Sequence, residues 1–101
     1  MNKVRRKELG DVIRDLGALQ DKDDLQSCIN TLDYIKDDEQ DYYDNIPENL
    51  QYSIRAEDSE KAIDCLDDAL SYLNQVYEAA EFNKDSSLIQ KAIDKIDDAR
   101  W

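Results

Sequence analysis

The chain has no histidine, one proline and two glycines in 101 residues, and no apolar run approaches the length that crosses a bilayer. Each shortage excludes something. Without histidine there is no imidazole to activate a serine or cysteine nucleophile, and no Glu-x-x-His pair for a di-iron carboxylate bundle. So little Gly and Pro leaves too few tight-turn residues for a β-sandwich or an α/β domain, and argues against a flexible linker. No Gly-rich loop is present to cradle a phosphate. The basic start is not followed by an apolar segment, so it does not read as a secretory signal, and the cytoplasm is the expected compartment. Cys28 and Cys65 lack CxxC spacing and read as buried thiols. If the chain folds back near residue 51, Cys28 lies opposite residue 74, roughly 13 Å of helix from Cys65. That is too far for a disulfide.

What the chain does have is negative charge: 25 Asp and Glu against 13 Lys and Arg, a formal −12. The distribution is uneven. Lys3, Arg5, Arg6 and Lys7 all precede the first acid, Glu8, whereas residues 21–68 hold 16 acids and 4 bases. Such a surface repels nucleic acid and anionic membrane, and suits docking on a basic surface.

The apolar residues have helical period. Leu9, Val12, Ile13, Leu16 and Leu19 form one stripe; Leu25, Cys28, Ile29, Leu32 and Ile35 form a second. On one continuous helix these stripes would be about 150° out of phase, so a break is expected between Gln20 and Asp24. Ala62, Ile63, Leu66, Ala69, Leu70, Leu73, Val76, Tyr77 and Ala80 make a longer seam, with Ser59 or Asp58 as the expected N-cap. A second phase shift precedes Leu88, Ile89, Ala92, Ile93 and Ile96, and Asp85 or Ser86 is placed to cap the last helix. Pro47 cannot sit inside a regular helix, which makes residues 45–57 a corner with a short helical turn after the proline. Tyr42, Tyr43, Ile46, Leu50 and Tyr52 are expected to pack that corner.

The expected fold is therefore one all-α domain spanning 1–101, with helices near 3–20, 24–44, 58–81 and 86–99. Its centre is an antiparallel hairpin of two long helices, with short kinked helices at the ends. One thin stripe per helix suggests that a homodimer completes the core.

Carboxylates are the abundant reactive groups. Asp33, Asp37 and Asp41 repeat at i, i+4, i+8, and Asp64 lies three and four residues before Asp67 and Asp68. Facing acid pairs hold Mg²⁺ in all-α nucleotide pyrophosphatases, but that needs acids turned inward. Here the acids flank Leu66 on the polar side of its seam and read as a solvated face. Asp21-x-Asp23 begins like an EF-hand loop without its later ligands. No residue reads as catalytic, no metal or cofactor is implied, and a non-enzymatic protein is expected. Six tyrosines are many for this length. Tyr42 and Tyr43 beside acids suit contact with an Arg-rich partner, so Asp33, Asp37, Asp41, Tyr42, Tyr43, Asp64 and Asp68 form the candidate partner surface. The alternative site is anionic in preference: Lys3, Arg5, Arg6 and Lys7, with Arg14 or Arg55, around a phosphate.

The run Asp38-Glu39-Gln40-Asp41-Tyr42-Tyr43-Asp44-Asn45-Ile46-Pro47-Glu48-Asn49-Leu50-Gln51, followed by Ser53 and Arg55, is joined by the basic start Arg5-Arg6-Lys7 and by Ala62-Ile63-Asp64-Cys65-Leu66-Asp67-Asp68-Ala69. Together these resemble a group of small acidic helical proteins of bacteriophages and mobile elements in Gram-positive bacteria. The resemblance covers roughly the first 80 residues, and departs from the group where Ala56-Glu57 replaces a glycine soon after the arginine. It carries no site residues and implies a phage context. Small accessory phage proteins often block host defence. The expected function is then an acidic inhibitor that covers a basic, nucleic-acid-binding surface of a host protein. The alternatives are an oligomeric sponge for a nucleotide signal, held by the N-terminal basic cluster, and a structural bundle without a ligand.

Overall fold

A computed structural model describes residues 1–50 and 53–100. Four α-helices account for most of them: α1 (Lys3–Leu16), α2 (Lys22–Asp44), α3 (Ile54–Glu78) and α4 (Ser87–Arg100), with one 3₁₀ turn at Glu48–Leu50. No strand occurs among the described residues. The helices pack in a ring, α1 on α2, α2 on α3, α3 on α4 and α4 back on α1. Arg5 meets Glu39, Ser59 meets Glu39, and Lys95 meets Asp68, so sequential helices run antiparallel. The result is an up-down-up-down four-helix bundle, 48 × 22 × 18 Å.

The central hairpin is as expected, and the end helices fold back along it and pack on each other. That placement closes the core within one chain. Leu9, Leu25, Leu32, Leu66, Leu73 and Ile96 have no exposed surface, and burying each such side chain contributes about 1.5–3 kcal/mol. The stripe on α3 is broad because α3 serves two neighbours. Ala62, Ala69, Ala92 and Ala99 are small and buried, which lets α3, α4 and α1 approach closely. The thin stripes suggested an incomplete monomer; four of them facing one another fill the interior instead.

Helix boundaries differ from expectation in instructive ways. The first break falls at residues 17–21, earlier than Gln20–Asp24. Gly17 is a poor helix former and stands at the C-cap of α1, its N–H donating to the Ile13 and Arg14 carbonyls. Helix resumes at Lys22, so Asp23 and Asp24 are helical. Asp21 is the N-cap, accepting from the Asp24 N–H at 2.9 Å, while Asp24 accepts from the Gln20 N–H at 3.0 Å. This reciprocal pattern satisfies donors that the first turn leaves free. Leu19 stays buried although it lies in the loop.

The third helix begins at Ile54, not near 58, and ends at Glu78, not 81. Its N-cap is Ser53, whose Oγ accepts from the Ala56 N–H at 3.3 Å; neither Asp58 nor Ser59 caps it. Ser59 is instead buried inside the helix. The corner is accordingly shorter, residues 45–53, and contains the expected turn after Pro47. It is less packed than expected: Tyr42 is 40% and Leu50 49% exposed, and Tyr43 and Ile46 are half-buried. A role for Tyr52 lies outside the described residues. Last, α4 runs within one residue of the expected span, with Ser86 Oγ accepting from the Leu88 N–H.

Candidate functional site

Two surfaces of opposite sign carry the chemistry. The first is built on the outer faces of the long helices. Asp33, Asp37 and Asp41 are exposed on α2, and none has an ion pair or side-chain hydrogen bond among the described residues. Tyr34, Asp37 and Asp41 stand at i, i+3, i+7, one helix face, and Tyr34 is 63% exposed. The neighbouring Lys36 reaches Asp67 across the α2–α3 seam. That hydrogen bond, with Asp33 and Asp37 nearby, raises the Lys36 pKa above its ordinary value.

On α3, Asp64 is exposed and also unpaired among the described residues. Asp68 is drawn the other way, toward α4, where Lys95 Nζ lies 3.4 Å from its Oδ2. Asp68 is therefore turned away from the α2 row, and Asp67 is the α3 acid that reaches α2, through Lys36. Tyr42 and Tyr43 stand apart from this row as well, at the corner end.

The second surface is at that corner end, and its centre is polar and buried. Glu39 has no exposed surface. Its Oε2 accepts from Arg5 Nε at 2.7 Å and its Oε1 from Ser59 Oγ at 2.9 Å, with the Met1 nitrogen 4.0 Å from Oε1. A buried carboxylate is tolerated only with such partners. All three residues occupy stripe positions: Arg5 is four before Leu9, Glu39 four after Ile35, Ser59 three before Ala62. They form a polar layer that ends the leucine core. The stripe spacing was the available signal, and the charge of Arg5 and Glu39 concealed it.

Beside this layer is a cavity of about 460 Å³ lined by Met1, Asn2, Arg5, Arg6, Tyr42, Arg55 and Asp58. The Arg5 guanidinium lies 5.7 Å from the Tyr42 ring centroid, within cation–π range. Of the basic candidates, Arg5, Arg6 and Arg55 converge here. Lys3 and Lys7 are exposed on α1 and do not line the cavity. Arg14 is spent on Asp11 and Asp15, at 3.4 and 3.5 Å.

The cysteines are free and buried. Burial, then the carboxylates of Asp15 and Asp24, push the Cys28 thiol up to about 11; burial also raises Cys65. Neither has the depressed pKa of a reactive thiol. Among the described residues, no group of three or more His, Cys, Asp or Glu is arranged to hold a metal ion, and no helix is long and apolar enough to cross a membrane.

No known family's sequence model matches the chain, and neither a curated protein nor a solved structure matches it.

Proposed function

We propose that this chain is a non-enzymatic interaction protein that offers the acidic outer face of its α2–α3 hairpin to a partner with a basic, nucleic-acid-binding surface. The observation that carries the reading is the exposed, unpaired row Asp33, Asp37 and Asp41 with the exposed Tyr34 among it. Carboxylates four residues apart rise by roughly 6 Å per step, a spacing that a surface built for successive phosphates accepts. The tyrosine supplies area and a hydroxyl at low entropic cost. Their field speeds encounter with a cationic partner. In the phage context that the corner motif implies, the partner is a host defence protein and the outcome is inhibition in the host cytoplasm.

The proposal includes a homodimer. Because one chain closes its own core, the second copy would be held through exposed groups. Val4, Leu50 and Ile54 are 64%, 49% and 76% exposed, at the start of α1, in the 3₁₀ turn and at the start of α3. Light scattering should then give twice 11.8 kDa, and Ile54→Asp should halve it; a wild-type monomer removes this part.

The functional test is a paired capture from host lysate, with wild type and with the Asp33→Asn/Asp37→Asn/Asp41→Asn variant as baits. The proposal expects a protein held by wild type, lost by the variant and displaced by duplex DNA. Equal capture by both baits, or capture indifferent to DNA, would sink it.

A further inference from the structure

The geometry points to a second site of opposite preference: we propose that the cavity between the start of α1, the end of α2 and the start of α3 binds a nucleoside diphosphate or a closely similar organic phosphate. It takes up the basic cluster that the sequence offers as an alternative anion site, and narrows it to Arg5, Arg6 and Arg55 in one cavity.

The argument begins with charge. In a chain with nearly two acids per base, carboxylates are available to neutralise almost any cation. Around this cavity they do so only for Arg5. Arg6 and Arg55 line it and have no carboxylate or hydrogen-bonded side-chain partner among the described residues. Two free guanidiniums facing one concavity, contributed by different helices, are an unspent cationic site. Each can grip a phosphate oxygen pair bidentately.

The third cation is held in place. Arg5 gives its Nε–H to Glu39, and Glu39 is locked from the other side by Ser59. A guanidinium has five N–H donors, and no partner for the other four exists among the described residues. Arg5 is only 13% exposed, so its free donors are held at the cavity wall. A ligand that uses them need not freeze a mobile side chain, which is how preorganisation adds affinity.

The rest of the lining narrows the ligand class. Tyr42 supplies an aromatic wall next to Arg5, suited to a stacked base. Asp58 is the one carboxylate side chain lining the cavity. It opposes a bare phosphate, yet it accepts hydrogen bonds from a ribose hydroxyl or an exocyclic amine. A ligand that combines an anion, a flat ring and hydroxyl donors satisfies every wall. The volume, about 460 Å³, falls in the range of small-molecule sites. No acid occupies the first turn of α1, so the helix dipole at that end also favours an anion.

Isothermal titration of the full chain at low ionic strength with ADP, pyrophosphate and adenosine tests the proposal. ADP should bind at one site per chain, pyrophosphate more weakly, and adenosine not measurably at millimolar concentration. Arg6→Ala and Arg55→Ala should each weaken ADP by about tenfold or more, the usual cost of a lost hydrogen bond to a charged group. Both side chains are exposed, so helix content by circular dichroism should not change. Tyr42→Ala should weaken ADP and leave pyrophosphate unaffected, while Asp58→Asn should weaken ADP and strengthen pyrophosphate. No ADP binding at millimolar concentration, or ADP binding indifferent to both arginine variants, overturns the site. Pyrophosphate binding as tightly as ADP overturns the nucleoside part. The Asp33/Asp37/Asp41 triple variant should bind ADP at least as well as wild type, which separates this site from the acidic face.

Discussion

Helix α2 carries carboxylates in two settings, and the contrast between them organises the molecule. Asp33, Asp37 and Asp41 point to solvent without partners. Glu39, two residues before Asp41, is fully buried and bound from two other helices, by Arg5 of α1 and Ser59 of α3. The chemical group is the same; what differs is whether other elements deliver donors to it. An exposed row projects charge outward and is available to a partner. The buried member spends its charge inward, fixes the register of α1 against the hairpin and aims an arginine at a cavity. Opposite surface preferences thus arise on one helix from a phase difference.

The sharpest way to break the comparison is to remove the cation that hydrogen-bonds Glu39. Arg5→Ala leaves the buried carboxylate with one hydroxyl donor and the Met1 amino group 4.0 Å away, and losing one member of a buried pair costs about 3 kcal/mol or more. Urea denaturation should show a loss of that order. Adding Glu39→Leu and Ser59→Ala converts the polar layer to an apolar one and should recover most of it. If Arg5→Ala costs under about 1 kcal/mol, Glu39 is no different from its exposed neighbours and the contrast fails.

This polar layer also marks the limit of what was readable in the sequence. Four stripes and the two breaks follow from periodicity, and Pro47 adds the corner that folds the central hairpin. The phase offset between Leu19 and Leu25 demanded a break but could not place it, because a phase difference is indifferent to which intervening residue leaves the helix. Gly17 decided that. Ser53 won the cap of α3 from Asp58 and Ser59 because Ala56 and Ser59 extend the buried stripe, which requires helix there. The sequence grouped Arg55 or Arg14 with the N-terminal cluster; choosing Arg55 and setting Lys3 and Lys7 aside needed the helix pairing. Which acids pair, Asp67 with Lys36 and Asp68 with Lys95, depends on rotation about α3 and is not encoded in spacing alone.

Next in size is the buried thiol on the same helix. Cys28 ionises near 9.0 when unfolded and about 11 when folded, so the folded state holds its proton longer. This thiol does not alter stability below pH 9, and stability falls as pH rises from 9 toward 11, by about 3 kcal/mol at most. Tyrosines and lysines titrate there too, so the measurement is a difference: Cys28→Ala should lower stability at pH 8 by about 1 kcal/mol and show a shallower alkaline decline than wild type. Parallel declines would mean that burial does not govern this thiol. The same shift predicts slow reaction with a disulfide reagent at pH 8 until the protein is unfolded.

Smaller again is the Lys36–Asp67 bridge across the hairpin seam. Asp67 is half exposed, and a surface pair of this kind is worth under about 1 kcal/mol. Asp67→Asn should therefore change stability by less than that, and the change should shrink in high salt. A loss comparable to that of Arg5→Ala would mean that the seam, not the buried layer, sets the register.

The smallest effect on folding is expected at the row on which the proposed function rests. Replacing Asp33, Asp37 and Asp41 with Asn removes three exposed charges that form no ion pair or side-chain hydrogen bond among the described residues. Exposed substitutions usually change stability by less than about 0.5 kcal/mol each, and here the sign should favour the variant, since the chain carries −12 and repels itself. Binding should respond in the opposite sense. If the row steers the partner, neutralising it slows association, flattens the dependence of that rate on salt, and leaves dissociation nearly unchanged, because long-range attraction acts on encounter more than on the docked complex. Stopped-flow association at several salt concentrations, with urea denaturation of the same samples, separates the two roles. A variant that is as stable as wild type and associates as fast at low salt would show that exposure alone does not make this row a binding surface. The contrast with Glu39 would then be one of structure and not of function.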